Sequence, residues 1–263
     1  MNDFEIRLVR KNEFEELMNL MNTAFGFVEE KAKFEHILPK LYFKDNREMI
    51  HYGVFENGKL VASVGLYFMT FYSKYGSLKA GCVGAVSTHP DYREKGYFSK
   101  TIKKVIGYAR RHQFDILFLG GNRFRYNHFG FENAGRKLLV NVSQRTEKLL
   151  KTVEFKVEQL DKNNMAEIKS CLQLYKKQQL HCNRTLENFY NHLISWDCLP
   201  YVIKVNDKII GYYVIKEDNY VMELAFENKY LDTVLKAVDF IFVLNSSSAE
   251  WVQAHKQEIR QAL

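Results

Sequence analysis

The chain has 263 residues, 46% of them apolar and only 3 of them proline, with 38 Lys and Arg against 31 Asp and Glu for a formal charge of +7. That is ample core material for more than one ordinary domain, and it excludes a disordered or collagen-like chain. Apolar stretches such as Leu60–Met69 fall short of the roughly 20 residues that span a bilayer, and no basic-then-apolar leader surrounds Asp3, Glu5 and Arg7, so a cytoplasmic protein without membrane contact is expected.

A short strand over Phe4–Val9 precedes a helix whose apolar face is Phe14, Leu17, Met18, Met21 and Phe25. Val54–Val61 reads as a hairpin turning at Asn57-Gly58. The run Gly84-Ala85-Val86-Ser87 suits a strand that stops at Thr88-His89-Pro90, since proline cannot donate to a ladder. A basic turn, Asp91-Tyr92-Arg93-Glu94-Lys95-Gly96, leads into a helix from Phe98 with Ile102, Val105, Ile106 and Ala109 on one face. Phe114–Leu119 is a buried strand, Gly120-Gly121-Asn122 closes it, and Leu138–Val142 is a further strand.

The order then returns. Met165, Ile168 and Leu172 repeat Phe14, Leu17 and Met21 at an offset of 151, and Val205-Asn206-Asp207-Lys208 repeats the hairpin turn at an offset of 149. Two copies of one α/β unit are expected, a first domain over 1–145 and a second over 153–263, parted by the polar stretch Asn141–Glu147. Of 14 glycines only Gly211 follows Gly135, so backbone freedom for tight turns and ligand approach is concentrated in the first copy. The second copy is read as a degenerate structural partner, with an apparently short C-terminal end after Phe240–Leu244 and the helix signal Ser247-Ser248-Ala249-Glu250.

Cys82, Cys171, Cys182 and Cys198 lack paired spacing and read as free thiols; no metal is expected. The segment Asp91–His112 has seven cations against two carboxylates, which focuses anions. Nucleic acid is not expected, because exposed aromatics do not interleave those cations. Strand, glycine-bearing basic loop and helix N-terminus in succession aim backbone N–H groups at a phosphate. The loop has neither the Gly-Lys-Ser/Thr end of a Walker A loop nor three dinucleotide-type glycines.

Pro90-Asp91-Tyr92-Arg93-Glu94-Lys95-Gly96-Tyr97-Phe98 resembles motif A of the GNAT superfamily of acyl-CoA-dependent N-acetyltransferases, and Tyr126-Asn127-His128-Phe129-Gly130-Phe131 resembles its Tyr-x-x-x-Gly-Phe motif. The likeness covers about residues 4–142, with Phe98 standing where most members have Gly or Ala. It resembles the tandem branch, including the enhanced-intracellular-survival family, whose third domain is not expected here. Leu263 therefore does not take the role of that domain's terminal carboxylate.

The resemblance implies a mixed-sheet GNAT fold in two tandem copies and acetyl transfer from acetyl-CoA to a primary amine of a small molecule or peptide, by direct attack. It implies donor contacts from Val86, Ser87, Thr88, Arg93, Glu94, Lys95, Gly96, Tyr97, Phe98 and Asn122, and Tyr126 as general acid. Arg93 and Lys95 are expected to balance phosphate charge. Glu29, Glu30, His36, Glu48 and His51 are candidate bases, and Glu29, Glu30, Glu35 and Glu48 are the carboxylates available for a cationic acceptor. A CoA-binding sensor or scaffold without catalysis shares the donor site and is the competing reading. Acceptor identity, acyl length and oligomeric state are not encoded in these motifs.

Overall fold

A strand that alternates faces and a helix with one apolar stripe must bury those surfaces against each other, and the computed structural model shows this arrangement made twice. It describes residues 4–42, 48–134, 137–140, 150–216, 220–238 and 241–245. The chain divides into Met1–Asn133 and Ala134–Leu263.

The first unit contains β1 (Phe4–Leu8), α1 (Phe14–Phe25), α2 (Phe34–Ile37), β2 (Met49–Glu56), β3 (Lys59–Ser73), β4 (Gly76–Thr88), α3 (Tyr97–Arg111), β5 (Ile116–Phe118) and α4 (Arg123–Tyr126). Its strands run in the order β1-β2-β3-β4-β5, antiparallel except for the parallel pair β4 and β5. Leu17, Met18 and Met21 of α1 pack with Phe55, Leu60 and Tyr67 on one face. On the other face Val105 and Ala109 of α3 pack with Tyr52, Val64, Leu66 and Val83. Arg7 ties β1 to the start of α1, its guanidinium bonding both Glu13 oxygens at 2.8 and 2.7 Å and lying 3.6 Å from the Phe55 ring centroid. This pairing holds the Glu13 carboxyl down at about 2, with burial opposing.

The second unit repeats the plan with β6 (Lys137–Val140), β7 (Lys156–Gln159), α5 (Met165–Lys176), β8 (Leu180–Cys182), α6 (Leu186–Ile194), β9 (Leu199–Val205), β10 (Lys208–Ile215), β11 (Tyr220–Phe226), α7 (Leu231–Ala237) and β12 (Ile241–Asn245). The series β7-β9-β10-β11-β12 matches β1-β2-β3-β4-β5, and the β11–β12 pair is again the parallel one. Both hairpin turns take two successive left-handed residues, Asn57 and Gly58 in one and Asn206 and Asp207 in the other, as a type I′ turn requires. The register slips just beyond each turn, around Val61 and around Ile210, so the repeat extends to a shared bulge.

Two expectations differ from this arrangement. The chain divides after Asn133, twelve residues before the boundary expected from polarity, and Lys137–Val140 pairs antiparallel with β12. The further strand expected over Leu138–Val142, within the first domain, therefore forms an edge of the second sheet and gives the second copy a strand from earlier in the sequence. The stretch Asn141–Glu147 and the helix signal Ser247–Glu250 lie outside the described residues. The α3 helix begins at Tyr97, one residue before the expected start.

Candidate active site

Two departures from regular backbone lie in succession in the first unit. Ser63 faces Ser87, yet Gly65 faces Gly84, so β4 has one more residue than β3 across this interval. Ala85 absorbs the bulge at φ 45°. A side chain held in that region costs about 1–3 kcal/mol and persists only where its surroundings impose it. Two contacts do so here. The Ser87 hydroxyl donates to the Ala85 carbonyl at 3.1 Å. The Tyr67 ring lies against Gly84, where a Cβ would stand 2.8 Å from Tyr67 Cε2.

The edge of β4 also loses its neighbour near this point. Pairing with β5 joins Ala80–Cys82 to Ile116–Phe118, whereas β4 continues to Thr88. Val86, Ser87 and Thr88 thus lie on the part of β4 that extends past β5, next to the bulge.

The second departure is the loop. His89 N–H bonds the Val61 carbonyl at 2.9 Å, Pro90–Tyr92 form a single tight turn, and Glu94 and Gly96 are left-handed at φ 66° and 70°. Gly96 is needed for that φ rather than for space, since nothing lies within 4 Å of where its Cβ would be. It precedes α3 with no side-chain cap, and the first turn contains no acidic residue. The first helical bond runs from Lys100 N–H to the Gly96 carbonyl at 3.3 Å. The amides of Tyr97, Phe98 and Ser99 accordingly have no carbonyl of their own helix to bond, and the helix dipole adds to their attraction for an anion.

The expected charges of the loop divide. Arg93 is exposed. Lys95, expected beside the phosphate, has its Nζ 3.0 and 3.1 Å from the two oxygens of buried Glu56. Tyr97 is buried with its hydroxyl donating to the same carboxylate at 2.7 Å. Burial first, then the Glu56 bond, push the Tyr97 phenol up to about 12.

Asn122 caps α4, its Oδ1 accepting the Phe124 N–H at 2.9 Å. That carries Tyr126 to the helix end, where its ring meets Phe98 edge-on at 5.6 Å. Gly130, left-handed at φ 93°, turns the chain so that Phe131 approaches Tyr126 at 6.2 Å between rings. Gly121 has no Cβ because one would lie 2.7 Å from Tyr126 Cε2. Phe98, the residue out of keeping with the motif, is thus the contact joining the loop helix to the tyrosine turn, since it also meets Phe129 at 5.6 Å. Burial raises the Tyr126 phenol above its ordinary range, with Arg125 opposing, so the hydroxyl keeps its proton at neutral pH.

Several of the candidate bases and acceptor carboxylates are engaged with neighbours. Glu30 bonds Lys33 and His36, and its carboxyl is lowered mainly by Lys33. Glu29 faces Lys31 at 3.6 Å, and Glu35 accepts from Asn22 at 3.1 Å. Glu48 uses its backbone carbonyl to accept the Phe68 N–H at 2.7 Å. His51 is buried, and neither ring nitrogen has a partner among the described residues. Burial pushes it down to about 3, so it is neutral at physiological pH. Beside it the Tyr42 and Tyr67 hydroxyls bond one another. This buried group of Tyr42, His51 and Tyr67, like Glu56 and the left-handed Ala85, has no motif signature. Among the described residues no cluster of His, Cys, Asp or Glu suits a metal ion, and Cys82, Cys171, Cys182 and Cys198 form no disulfide.

Two family models describe this sequence. Residues 5–134 match an acetyltransferase (GNAT) domain, and residues 164–250 match a second acetyltransferase (GNAT) domain. The chain belongs to the GNAT superfamily. It holds two GNAT domains in tandem, each with a mixed α/β sheet.

Solved structures share this tandem fold. A conserved protein of unknown function from Enterococcus faecalis V583, described as a probable N-acyltransferase, aligns at TM-score 0.73 and 16% identity over 92% of this chain and 66% of its own. A GCN5-related N-acetyltransferase from Anabaena variabilis gives 0.68 and 14% over 93% and 66%, and Eis1 from Mycobacterium abscessus gives 0.61 and 12% over 91% and 65%. The chain thus spans a little under two thirds of the length of these structures. No curated protein matches it.

Proposed function

We propose that the first unit transfers an acetyl group from acetyl-CoA to a primary amine, and that the second unit has no donor site of its own. The observation that carries this reading is the uncapped start of α3 directly after the left-handed Glu94 and Gly96, beside a β4 edge that β5 has left. The amides of Tyr97, Phe98 and Ser99 would take the donor diphosphate, with Arg93 balancing charge. The pantetheine arm would lie along Val86–Thr88 by main-chain hydrogen bonds.

In the reaction the neutral amine attacks the thioester carbonyl carbon and forms the C–N bond, while the carbonyl electron pair moves onto oxygen. An N–H at the Ala85–Val86 bulge would stabilise that oxyanion. Collapse breaks the C–S bond, Tyr126 protonates the departing thiolate, and the new amide nitrogen releases its extra proton to water. No covalent enzyme intermediate is needed, so the chemistry makes no demand for an activated Ser or Cys. The raised Tyr126 phenol suits an acid that must remain protonated.

The acceptor is a primary amine, and the carboxylates paired among the described residues do not single out a polycation. Glu30 and Glu35 already have partners, and Tyr42, His51 and Tyr67 form a neutral buried group. The test is release of free CoA thiol from acetyl-CoA with a panel of amines. Amine-dependent release supports the transferase. CoA binding without release from any amine would favour the sensor reading instead.

A further inference from the structure

We propose that Glu56, at the end of β2 and outside both motifs, is a positioning residue that sets the shape of the donor loop; this rests on the donor site proposed above. Its carboxylate is buried where the β2–β3 hairpin turns, and two residues of the loop converge on it from across the sheet end. Lys95 Nζ bonds both oxygens at 3.0 and 3.1 Å, and the Tyr97 hydroxyl bonds Oε2 at 2.7 Å. Lys95 Nζ also lies 4.8 Å from the Tyr92 ring centroid, and the Tyr97 ring packs on Phe4 at 5.3 Å.

The bonded residues bracket the strain. Lys95 lies between the two left-handed residues, Glu94 and Gly96, and Tyr97 is the first residue of α3. A loop that must present its amides outward gains little from hydrogen bonds within itself, so its form has to be imposed by a neighbour. Glu56 is that neighbour.

Burying a carboxylate to pair it with a partly exposed lysine is a poor way to add stability, because desolvation consumes most of the attraction. Its value here lies in fixing geometry, and the repeat supplies the control. At the matching hairpin position the second unit has Val205, also buried, and it has no long loop to hold. The carboxylate is present only in the unit whose loop needs an anchor. Lys95 on this account acts on the donor through the backbone and not by contact with phosphate.

Acetyl-CoA kinetics with Glu56→Gln, Lys95→Met and the double variant test this. The expected result is a KM for acetyl-CoA raised about tenfold in either single variant, the scale of a lost charged hydrogen bond. The kcat at saturation should stay within about twofold, and the double variant should be no worse than either single one, since both break one contact. An unchanged KM in Glu56→Gln, a loss in kcat alone, or losses that add would overturn the proposal. If Glu56→Gln does not fold, Lys95→Met with Tyr97→Phe carries the same test. Wild-type protein that fails to bind CoA at all would instead remove the donor site itself.

Discussion

The two units share strand order, hairpin turns and even the bulge beyond each turn, yet they end their fourth strands differently. In the first, eight residues separate β4 from a 15-residue helix, and two of them are left-handed. In the second, four residues lead from β11 into a seven-residue helix, and none of those four is left-handed. The helix starts differ in the same sense. α3 begins without a cap or a carboxylate, whereas the first turn of α7 contains Asp232, which accepts the Lys151 N–H at 2.9 Å, and Thr233, which accepts the Val153 N–H at 3.3 Å. One helix start is uncapped, as the proposed anion site requires, and the other is held by the chain just before β7. A duplicated fold thus keeps its layers while a few residues decide which copy can hold a ligand.

The same contrast appears in where each unit keeps its buried charge. The second unit has Arg184 in a two-bond pair with Glu223, both bonds 2.8 Å, and Tyr212 donates to Glu223 at 2.7 Å. Arg184 also stacks 4.1 Å over Tyr175. This part-buried pair ties the short loop between β8 and α6 to β11. Glu223→Gln leaves the guanidinium uncompensated and is expected to cost about 3–5 kcal/mol, read from urea unfolding. A loss under about 1 kcal/mol would mean that the pair is solvated.

The next effect belongs to the first unit. Tyr126→Phe is expected to lower acetyl transfer by about 100-fold or more while CoA binding is kept. Turnover unchanged across pH would remove the general-acid role.

His51 gives a smaller effect that again has no counterpart in the second unit. Its folded pKa, about 3, lies below the unfolded value of 6.5, so the unfolded chain binds the proton more readily below neutrality. Stability should therefore fall as pH drops from about 6.5 toward 3, by at most about 1.4 kcal/mol per pH unit from this group. His51→Phe should flatten that slope in unfolding measured at pH 7, 6 and 5, and an unaltered slope would show that His51 is hydrated. Smallest is Ala85→Gly. Relief of the left-handed strain and the added freedom of the unfolded chain nearly cancel, so the midpoint should move by less than about 1 kcal/mol. A large loss would mean that the Ala85 methyl group is needed in the packing.

Much of this architecture could be read in the sequence, because it depends on local signals. The helical stripes from Phe14 and Met165, the Asn57-Gly58 turn and its Asn206-Asp207 echo, and the glycine-bearing loop all act within a few residues. The paired motifs likewise brought Phe98 and Tyr126 into one site, and their rings meet. What escaped depends on distant pairing. No local feature of Lys137–Val140 says that it will join β12, about a hundred residues later. Glu56 looks like an ordinary charge beside a turn until the fold brings Lys95 and Tyr97 onto it. The pairing of Lys95 with Glu56 escaped for the same reason, since composition counts cations but does not show their partners.

In the proposed donor site the amides at the start of α3 hold the diphosphate and their counterparts in the second unit do not. Titration of CoA into ¹⁵N-labelled protein, followed by amide NMR, tests it most directly. Saturable shifts are expected at Gly96, Tyr97, Phe98 and Ser99, with Asn228–Asp232 unmoved. Shifts centred on the second group, or saturation of CoA with the first group unmoved, would contradict it.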